Sequence, residues 1–301
     1  RGSSSMELPK KSYSLTTVKS DNTSNNNVSI LGMPSENDWI LNSLAFDPSL
    51  IRDYLSYDIS RKLGNYASRT QYCEVILNGD YIGLYVFQEK IKANANRVDV
   101  AKIEKTDNSL NNLTGGYITK ADRPDINEPP TWVMEDTNFV HVLPKPENAT
   151  PEQTAYIKGE FDRFSDNLYN YDLENGYQTI IDVPSFVDFM LVNELSSNAD
   201  AYQYSTFFHK DRGGKLRAGP IWDLNLSFGS SFTNSSDVDQ WQFSNGNKTG
   251  PWFWAGLFDN RTFPCYFSRR WNEMIQPTKP MNLEVLTSFI DATLLYISEA
   301  I

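Results

Sequence analysis

The stretch Asn193 to Gly229, NELSSNADAYQYSTFFHKDRGGKLRAGPIWDLNLSFG, carries the features that decide the fold. Asp200 follows a predicted helix, and Asp223 lies 23 positions later in GPIWDLN. Between them, Asp-Arg-Gly-Gly at 211–214 indicates a β-hairpin turn. A hairpin that folds back would bring the two aspartates together, and such pairs commonly hold a divalent cation or divide acid–base work. From these residues alone, two solvated aspartates are the more common outcome.

Composition limits the function classes. The chain has 301 residues, of which 40% are apolar, enough for the core of one large domain or two modest ones. Its 27 basic and 38 acidic residues give a net charge of −11, which argues against nucleic acid as a partner. No apolar run approaches the roughly 18 to 20 residues of a membrane span, so we expect no span in this segment.

Cysteines and histidines are few. Cys73 and Cys265 could pair in an oxidising compartment, although two isolated buried thiols are the more common outcome. His141 and His209 are the only histidines, which leaves little for a structural zinc site or a Ser-His-Asp triad. The common nucleotide-binding, metalloprotease and hydrolase motifs are also absent from the sequence.

The first third of the chain predicts a small α+β unit. A strand over 12–18 is followed by a helix over 50–63, with Asp47 or Ser49 as its cap and Gly64 at its end. Two strands at 71–77 and 81–88 flank Asn78-Gly79, the strongest short hairpin signal. Composition becomes polar after 91, which predicts a lobe boundary there, with an N-lobe at 1–92 and a C-lobe at 93–301.

The later part is predicted to be mainly helical. After a strand at 115–119, Thr150 with Pro151 opens a helix to about Tyr169, and Asp182 opens another that is apolar nearly all round. A buried helix of this kind would be a rigid platform for Asp200. The order of a lysine-bearing strand, helix, hairpin and two later aspartates matches a kinase-type phosphoryl-transfer fold.

Several strings in family order resemble the CotH family, the spore-coat-protein-H-like atypical protein kinases. The resemblance implies an α+β, two-lobed kinase-like fold with a small sheet-plus-helix N-lobe. It also implies a secreted or cell-surface bacterial protein, with any lipid anchor in a missing N-terminal segment, that transfers phosphate from ATP to serine or threonine of a protein with Mg²⁺ or Mn²⁺. The strings are RGSSSMELPKKSY, LGMPSENDWIL, SLIRDYLSYDISRKLG, ILNGDYIGLYVFQEKI, NRVDV, GGYI, NELSSNADAY, STFFHKDRGGKL and GPIWDLNLSFG.

The resemblance also implies site residues. Asp200 matches the catalytic-loop aspartate and Asp223 the metal-binding aspartate; Asp200 and Asn225 are further candidate metal ligands. Lys11 matches the phosphate-contacting lysine, with Lys10 as the alternative. Two further segments are candidates for nucleotide binding: Arg1, which would pass over the phosphates, and Gln88, Glu89 and Lys90, whose backbone would contact adenine.

Three positions depart from the family pattern. Asn225 stands where many relatives have a second acid, and Ser205 stands where a protein kinase would have asparagine. Both changes weaken the case for a second metal, because removing ligand charge lowers cation affinity. Lys120 also replaces a frequent acid, which could alter nucleotide or substrate contacts.

Two other functions stay open. A catalytically weak or inactive kinase-like surface module could bind carbohydrate or a partner protein through Trp252–Trp254, although core packing is the more common role for such a segment. A glycoside hydrolase using the same two carboxylates is the weakest alternative. The sequence does not determine the oligomeric state.

Overall fold

The computed structural model describes residues 8–123, 129–172, 174–230, 240–244 and 250–300. Helices and antiparallel strands are mixed along the chain, so the expected α+β class is confirmed. The strands are β1 (Tyr13–Thr16), β2 (Asp38–Asn42), β3 (Thr70–Leu77), β4 (Asp80–Glu89), β5 (Tyr117–Ala121), β6 (Trp132–Met134), β7 (Thr137–Leu143), β8 (Thr206–Lys210) and β9 (Arg217–Ala218). The helices are α1 (Arg52–Lys62), α2 (Leu110–Leu113), α3 (Pro151–Asp166), α4 (Val183–Leu195), α5 (Phe253–Asp259), α6 (Phe263–Met274) and α7 (Leu283–Ile297).

The first sheet has the strand order β1-β2-β4-β3. Its β3–β4 hairpin turns at Asn78 and Gly79, which both have positive φ (+54° and +94°), as a type I′ turn requires. Helix α1 begins where the Asp47 carboxylate accepts the Arg52 amide (2.8 Å), and it ends before Gly64 at φ +98°. The predicted helix and hairpin are therefore confirmed.

The second sheet has the order β6-β7-β5-β8-β9. The sequence predicted β5 and the β8–β9 hairpin, but not β6 and β7, so the later part of the chain has a sheet beside its helices. Helix α3 begins with a capping box between Thr150 and Gln153 and ends at Asp166, three residues before the predicted end. Helix α4 follows the N-cap Asp182, whose side chain accepts the Ser185 amide (2.9 Å).

The main hydrophobic core surrounds α4, as the prediction of a buried platform requires. Phe186, Met190 and Val192 of this helix are at most 1% exposed. Leu55 and Ile59 of α1 belong to the same cluster, so packing continues across residue 92. At the end of α1, Asn65 donates to one oxygen of Asp188 on α4, and Arg270 of α6 donates to the other (both 2.8 Å).

Helix α7 packs back on the first sheet and on α1. Ile297 joins a cluster with Ile51, Tyr72 and Val86, and the Phe289 ring stacks on Tyr54 of α1 (5.7 Å between centroids). Among the described residues, no helix is long and apolar enough to cross a membrane.

Candidate functional site

The segment after α4 is held by asparagine side chains. Asn198 Nδ2 donates to Asn193 Oδ1 (2.8 Å), and Asn198 Oδ1 accepts the backbone N–H of Asp200 (3.2 Å). Asn193 itself donates to the Phe189 carbonyl within the helix (2.9 Å). Because Asn193 and Asn198 are both buried, Asp200 is attached to a rigid helix end.

The β8–β9 hairpin returns the chain to this helix end. The Ala199 N–H donates to the Leu226 carbonyl (2.9 Å), and the Phe228 N–H donates to the Ser196 carbonyl (2.6 Å). These two backbone hydrogen bonds join the segments that carry Asp200 and Asp223, as the folded-back hairpin requires.

Asp223 has an unusual backbone conformation. Its φ of +60° lies in the left-handed region, which is uncommon for residues other than glycine, although aspartate adopts it more readily than most. Its N–H donates to the Tyr57 hydroxyl (3.2 Å), and its Oδ1 accepts the Asn225 amide (2.7 Å). Asn225 thus directs a donor toward Asp223.

A third carboxylate, Asp53 of α1, faces the same segment and was missed by the sequence reasoning. It is 2% exposed; its Oδ1 accepts the Leu224 N–H (2.7 Å), and its Oδ2 accepts from Asn42 Nδ2 (3.2 Å). A signal was available: Asp53, Ser56, Tyr57 and Ser60 form a polar stripe at i, i+3, i+4 and i+7 of the predicted helix, and all four are buried.

Burial and repulsion between neighbouring carboxylates raise the pKa values of Asp53 and Asp223. Burial raises the pKa of Asp53, and the charge of Asp223 raises it further. Burial also raises the pKa of Asp223, with further contributions from Asp200 and then Asp122, a second acid that the sequence reasoning missed. Asp122 is paired with Lys120 (2.7 Å). Such surroundings favour a cation, because a positive charge would relieve the repulsion.

Arg123 is a positive group at the edge of these acids. Its guanidinium lies 3.7 Å from Asp200 Oδ1 and 4.2 Å from the centre of the Tyr204 ring, and its side chain is half exposed. The ring holds the guanidinium by a cation–π contact. Arg123 therefore offers a charge to an anionic ligand beside Asp200.

The two candidate lysines have different surroundings. Lys10 Nζ donates to the Leu84 carbonyl and lies 4.7 Å from the centre of the Tyr85 ring. Lys11 is exposed, and its carbonyl accepts the Tyr85 hydroxyl (3.0 Å). The phosphate-binding role of Lys11 stays a prediction, and Arg1 lies outside the described residues.

Gln88 and Glu89 end β4 as buried side chains. Glu89 accepts from Arg69 (2.9 Å) and lies 3.7 Å from Arg97, so its carboxylate belongs to a structural ion-pair network. Among the described residues, Gln88 Oε1 is buried without a hydrogen-bond donor. Lys90 is exposed, and its carbonyl accepts from Arg97 (2.8 Å). Adenine contacts by this segment stay a prediction.

Other polar residues have structural roles. Glu194 accepts the Tyr202 hydroxyl (2.6 Å) and the Gln242 amide (2.7 Å). Burial lowers the pKa of His141 and of His209 to about 4, so both rings are neutral at physiological pH.

The expectation for the thiols needs a correction. Cys73 and Cys265 are both free, as expected for isolated thiols. Only Cys73 is partly buried, however, while Cys265 is exposed because it lies on the outer face of α6.

The donor set at the carboxylates fits a hard divalent cation. Asp200 and Asp223 supply carboxylate oxygens, the ligands that Mg²⁺ prefers. No group of three or more His, Cys, Asp and Glu in the described part of the chain is arranged to hold a metal ion. A cation at Asp223 would thus need further oxygens, such as those of nucleotide phosphates.

The whole chain was compared with known proteins. The model of the CotH kinase protein family matches residues 1–300. The chain belongs to the CotH kinase family. A search of curated proteins finds no match. The family assignment confirms the resemblance and supports a kinase-like protein.

Proposed function

We propose that this CotH family member is an ATP-dependent protein kinase that uses Mg²⁺ or Mn²⁺. The observation that carries the proposal is the pair of backbone hydrogen bonds, Ala199 to Leu226 and Phe228 to Ser196, that joins the segments of Asp200 and Asp223 after the β8–β9 hairpin. The charge of Asp200 also contributes to the raised pKa of Asp223, after the larger effect of burial. In a kinase-type reaction the protein positions the reactants and stabilises charge, and two carboxylates on a rigid frame suit that task.

The two aspartates share the cation in this proposal, and Asp200 has a second role. Asp223, with Asp200, would hold the cation, which neutralises charge on the nucleotide phosphates when bound. Asn225 could join them if its amide turned its oxygen toward the cation. Asp200 orients a serine or threonine hydroxyl and accepts its proton, while the hydroxyl oxygen bonds to the γ-phosphorus and the bond to the leaving ADP oxygen breaks.

The nucleotide would lie between the first sheet and these acids. Lys11, or Lys10 in its place, would contact phosphate together with Arg1, and the backbone of Gln88–Lys90 would contact adenine. Family membership and the position of these residues along the chain support this assignment. A secreted or cell-surface location belongs to the same proposal.

Phosphate transfer from γ-labelled ATP to a panel of serine-containing proteins tests the function. We expect transfer by the unaltered chain with Mg²⁺ or Mn²⁺, and a loss of at least about 100-fold in Asp223→Ala and Asp200→Ala. Asp291→Ala, an exposed aspartate on α7, is the matched control and should retain activity. Equal transfer by all variants would contradict the proposal.

One observation keeps a binding module as the second candidate. Trp252 is 37% exposed and stacks on the half-exposed Tyr169 (6.0 Å between centroids), a surface on which a sugar ring can stack. Trp254 and Phe253 are buried in the main core and are not available for this role. Glycan-array binding that survives Asp223→Ala but is lost in Trp252→Ala would favour the module over the kinase.

A further inference from the structure

We propose that helix α1 positions Asp223, and that Asp53 and Tyr57 are the positioning residues through which it acts. The two side chains hold consecutive backbone amides, those of Leu224 and Asp223. We call these two contacts, Asp53 with Leu224 and Tyr57 with Asp223, the clamp. Its importance for metal binding rests on the proposed function, but the contacts themselves can be tested without metal or nucleotide.

The Asp53 contact joins distant parts of the chain. Asp53 is buried and accepts the Leu224 N–H at 2.7 Å, while Asn42 of β2 donates to its other oxygen. The carboxylate therefore connects the first sheet, α1 and the segment after β9. Burying a carboxylate is costly unless its oxygens accept hydrogen bonds. Moving the Leu224 amide away from Asp53 would therefore destabilise the fold.

The Tyr57 contact acts on Asp223 directly. Tyr57 is 0% exposed, and its hydroxyl accepts the Asp223 N–H at 3.2 Å. Because Asp223 lies at φ +60°, its amide points where a regular strand would not place it. An acceptor fixed in the core at that point stabilises the left-handed conformation against the extended one.

A third contact from α1 fixes the end of the same segment. Arg52 Nε donates to the Ser227 carbonyl (2.8 Å), and its guanidinium is held by Asp47 and by Ser49 (2.8 Å). Arg52, Asp53 and Tyr57 thus contact the backbone at three points between 223 and 227. A displacement of α1 would change all three contacts together, so the position of α1 determines the position of the Asp223 carboxylate.

Hydrogen exchange of the 221–228 backbone, without nucleotide, tests the clamp. Tyr57→Phe removes one hydroxyl, and we expect exchange of the Asp223 amide to rise at least about 5-fold, the equivalent of one hydrogen bond. Tyr54→Phe removes a hydroxyl from the same helix but away from Asp223, and it should leave this exchange unchanged. Unchanged exchange in Tyr57→Phe would overturn the proposal.

A pair of Asp53 variants separates hydrogen bonding from packing. Asp53→Asn keeps an oxygen that can accept the Leu224 amide, although its NH2 group no longer accepts from Asn42, so protection at Leu224 itself should stay within about 2-fold of the unaltered chain. Asp53→Leu has a similar size but no acceptor, and exchange at Leu224 should rise at least about 5-fold. Equal exchange in the two variants would contradict the proposed role of Asp53. If Asp53→Leu does not fold, Tyr57→Phe still decides the question.

Binding of Mn²⁺, measured by electron paramagnetic resonance with a non-hydrolysable ATP analogue, tests the consequence. We expect Tyr57→Phe to weaken Mn²⁺ binding about 5-fold or more, with Tyr54→Phe unchanged. Faster exchange together with unchanged Mn²⁺ affinity would overturn the link between the clamp and the cation. An unaltered protein that binds no Mn²⁺ would overturn the proposed function, and the exchange data would still decide the clamp.

Discussion

Glu89 and Asp53 are buried to almost the same degree, at 0% and 2% exposure, but they have opposite surroundings. Glu89 at the end of β4 faces the guanidinium groups of Arg69 and Arg97. Asp53 on α1 accepts two neutral amide donors and faces the charge of Asp223. The first carboxylate is compensated by two guanidinium groups, whereas the second accepts from neutral amides, and the positive groups Lys120 and Arg123 pair with its neighbours Asp122 and Asp200.

The comparison separates an acid with a structural role, Glu89, from an acid of the proposed site, Asp53. A buried ion pair is costly to break but needs no ligand. Uncompensated acids near one another gain from any cation that joins them, and perturbed carboxylates of this kind are concentrated at functional sites. The end of the first sheet therefore needs no ligand for its stability, whereas the segment of Asp223 beside α1 is where we propose that a cation binds.

The largest effect on stability is expected from removing Glu89, the acid that is compensated by arginines. Glu89→Ala leaves Arg97 buried without its carboxylate, so we expect the free energy of unfolding to fall by about 3 kcal/mol. Urea denaturation measures the change, with Glu74→Ala, an exposed acid on β3, as the control. A loss below about 1 kcal/mol would show that Glu89 is not the compensating charge.

The next effect concerns ligand stabilisation at the uncompensated acids. Nucleotide with Mg²⁺ at about 100 times its Kd should stabilise the unaltered chain by about 2.7 kcal/mol. Asp223→Asn should lose most of this gain, whereas the control Asp291→Asn should keep it. Thermal unfolding with and without nucleotide measures both. If nucleotide with Mg²⁺ stabilised Asp223→Asn as much as the unaltered chain, Asp223 would not be part of the binding site.

The pH dependence of stability follows from the raised pKa of Asp53. The folded protein keeps the Asp53 proton above the ordinary carboxyl range near 4, where the unfolded chain has lost it, so the free energy of unfolding should fall as pH rises from there. Asp53→Asn removes this contribution, so we expect its stability relative to the unaltered chain to rise by about 1 kcal/mol between pH 5 and pH 8. Denaturation at pH 5 and pH 8 measures the difference, and a parallel pH dependence in both proteins would contradict the expectation.

The smallest effect is that of an exposed ion pair. Asp162 accepts from Lys158 within α3 (2.6 Å), but both side chains are about two-fifths exposed. Asp162→Asn should therefore change stability by less than about 0.5 kcal/mol, as measured by the same urea denaturation. If Asp162→Asn lowered the free energy of unfolding as much as Glu89→Ala does, burial would not explain the difference between the two ion pairs.

Local sequence signals predicted many of the helices and some of the hairpins. Helix α1, the β3–β4 hairpin, the start of α3 and the buried α4 each depend on caps, turn residues and apolar spacing that lie within a few residues. The positions of Asp200 and Asp223 on either side of a hairpin were likewise readable, because the turn between them is local.

The remaining parts depend on distant partners. Asp53 lies in the first turn of an ordinary helix, and its role follows from Leu224, 171 positions later. Strands β6 and β7 pair with neighbours rather than showing a strong local pattern, and Trp254 is in the core because α4 and β8 cover it. These contacts cannot be predicted from the spacing of residues along the sequence.

The return of α7 to the first sheet has a consequence for synthesis. Tyr72 and Val86 of that sheet pack with Ile297, so one layer of the N-terminal core is supplied by a helix that begins roughly 200 residues after β4 ends. At roughly 5 to 20 residues per second, a ribosome needs on the order of 10 to 40 s to make that stretch. During this interval the apolar side chains of the nascent sheet that Ile297 later covers stay without this part of their core.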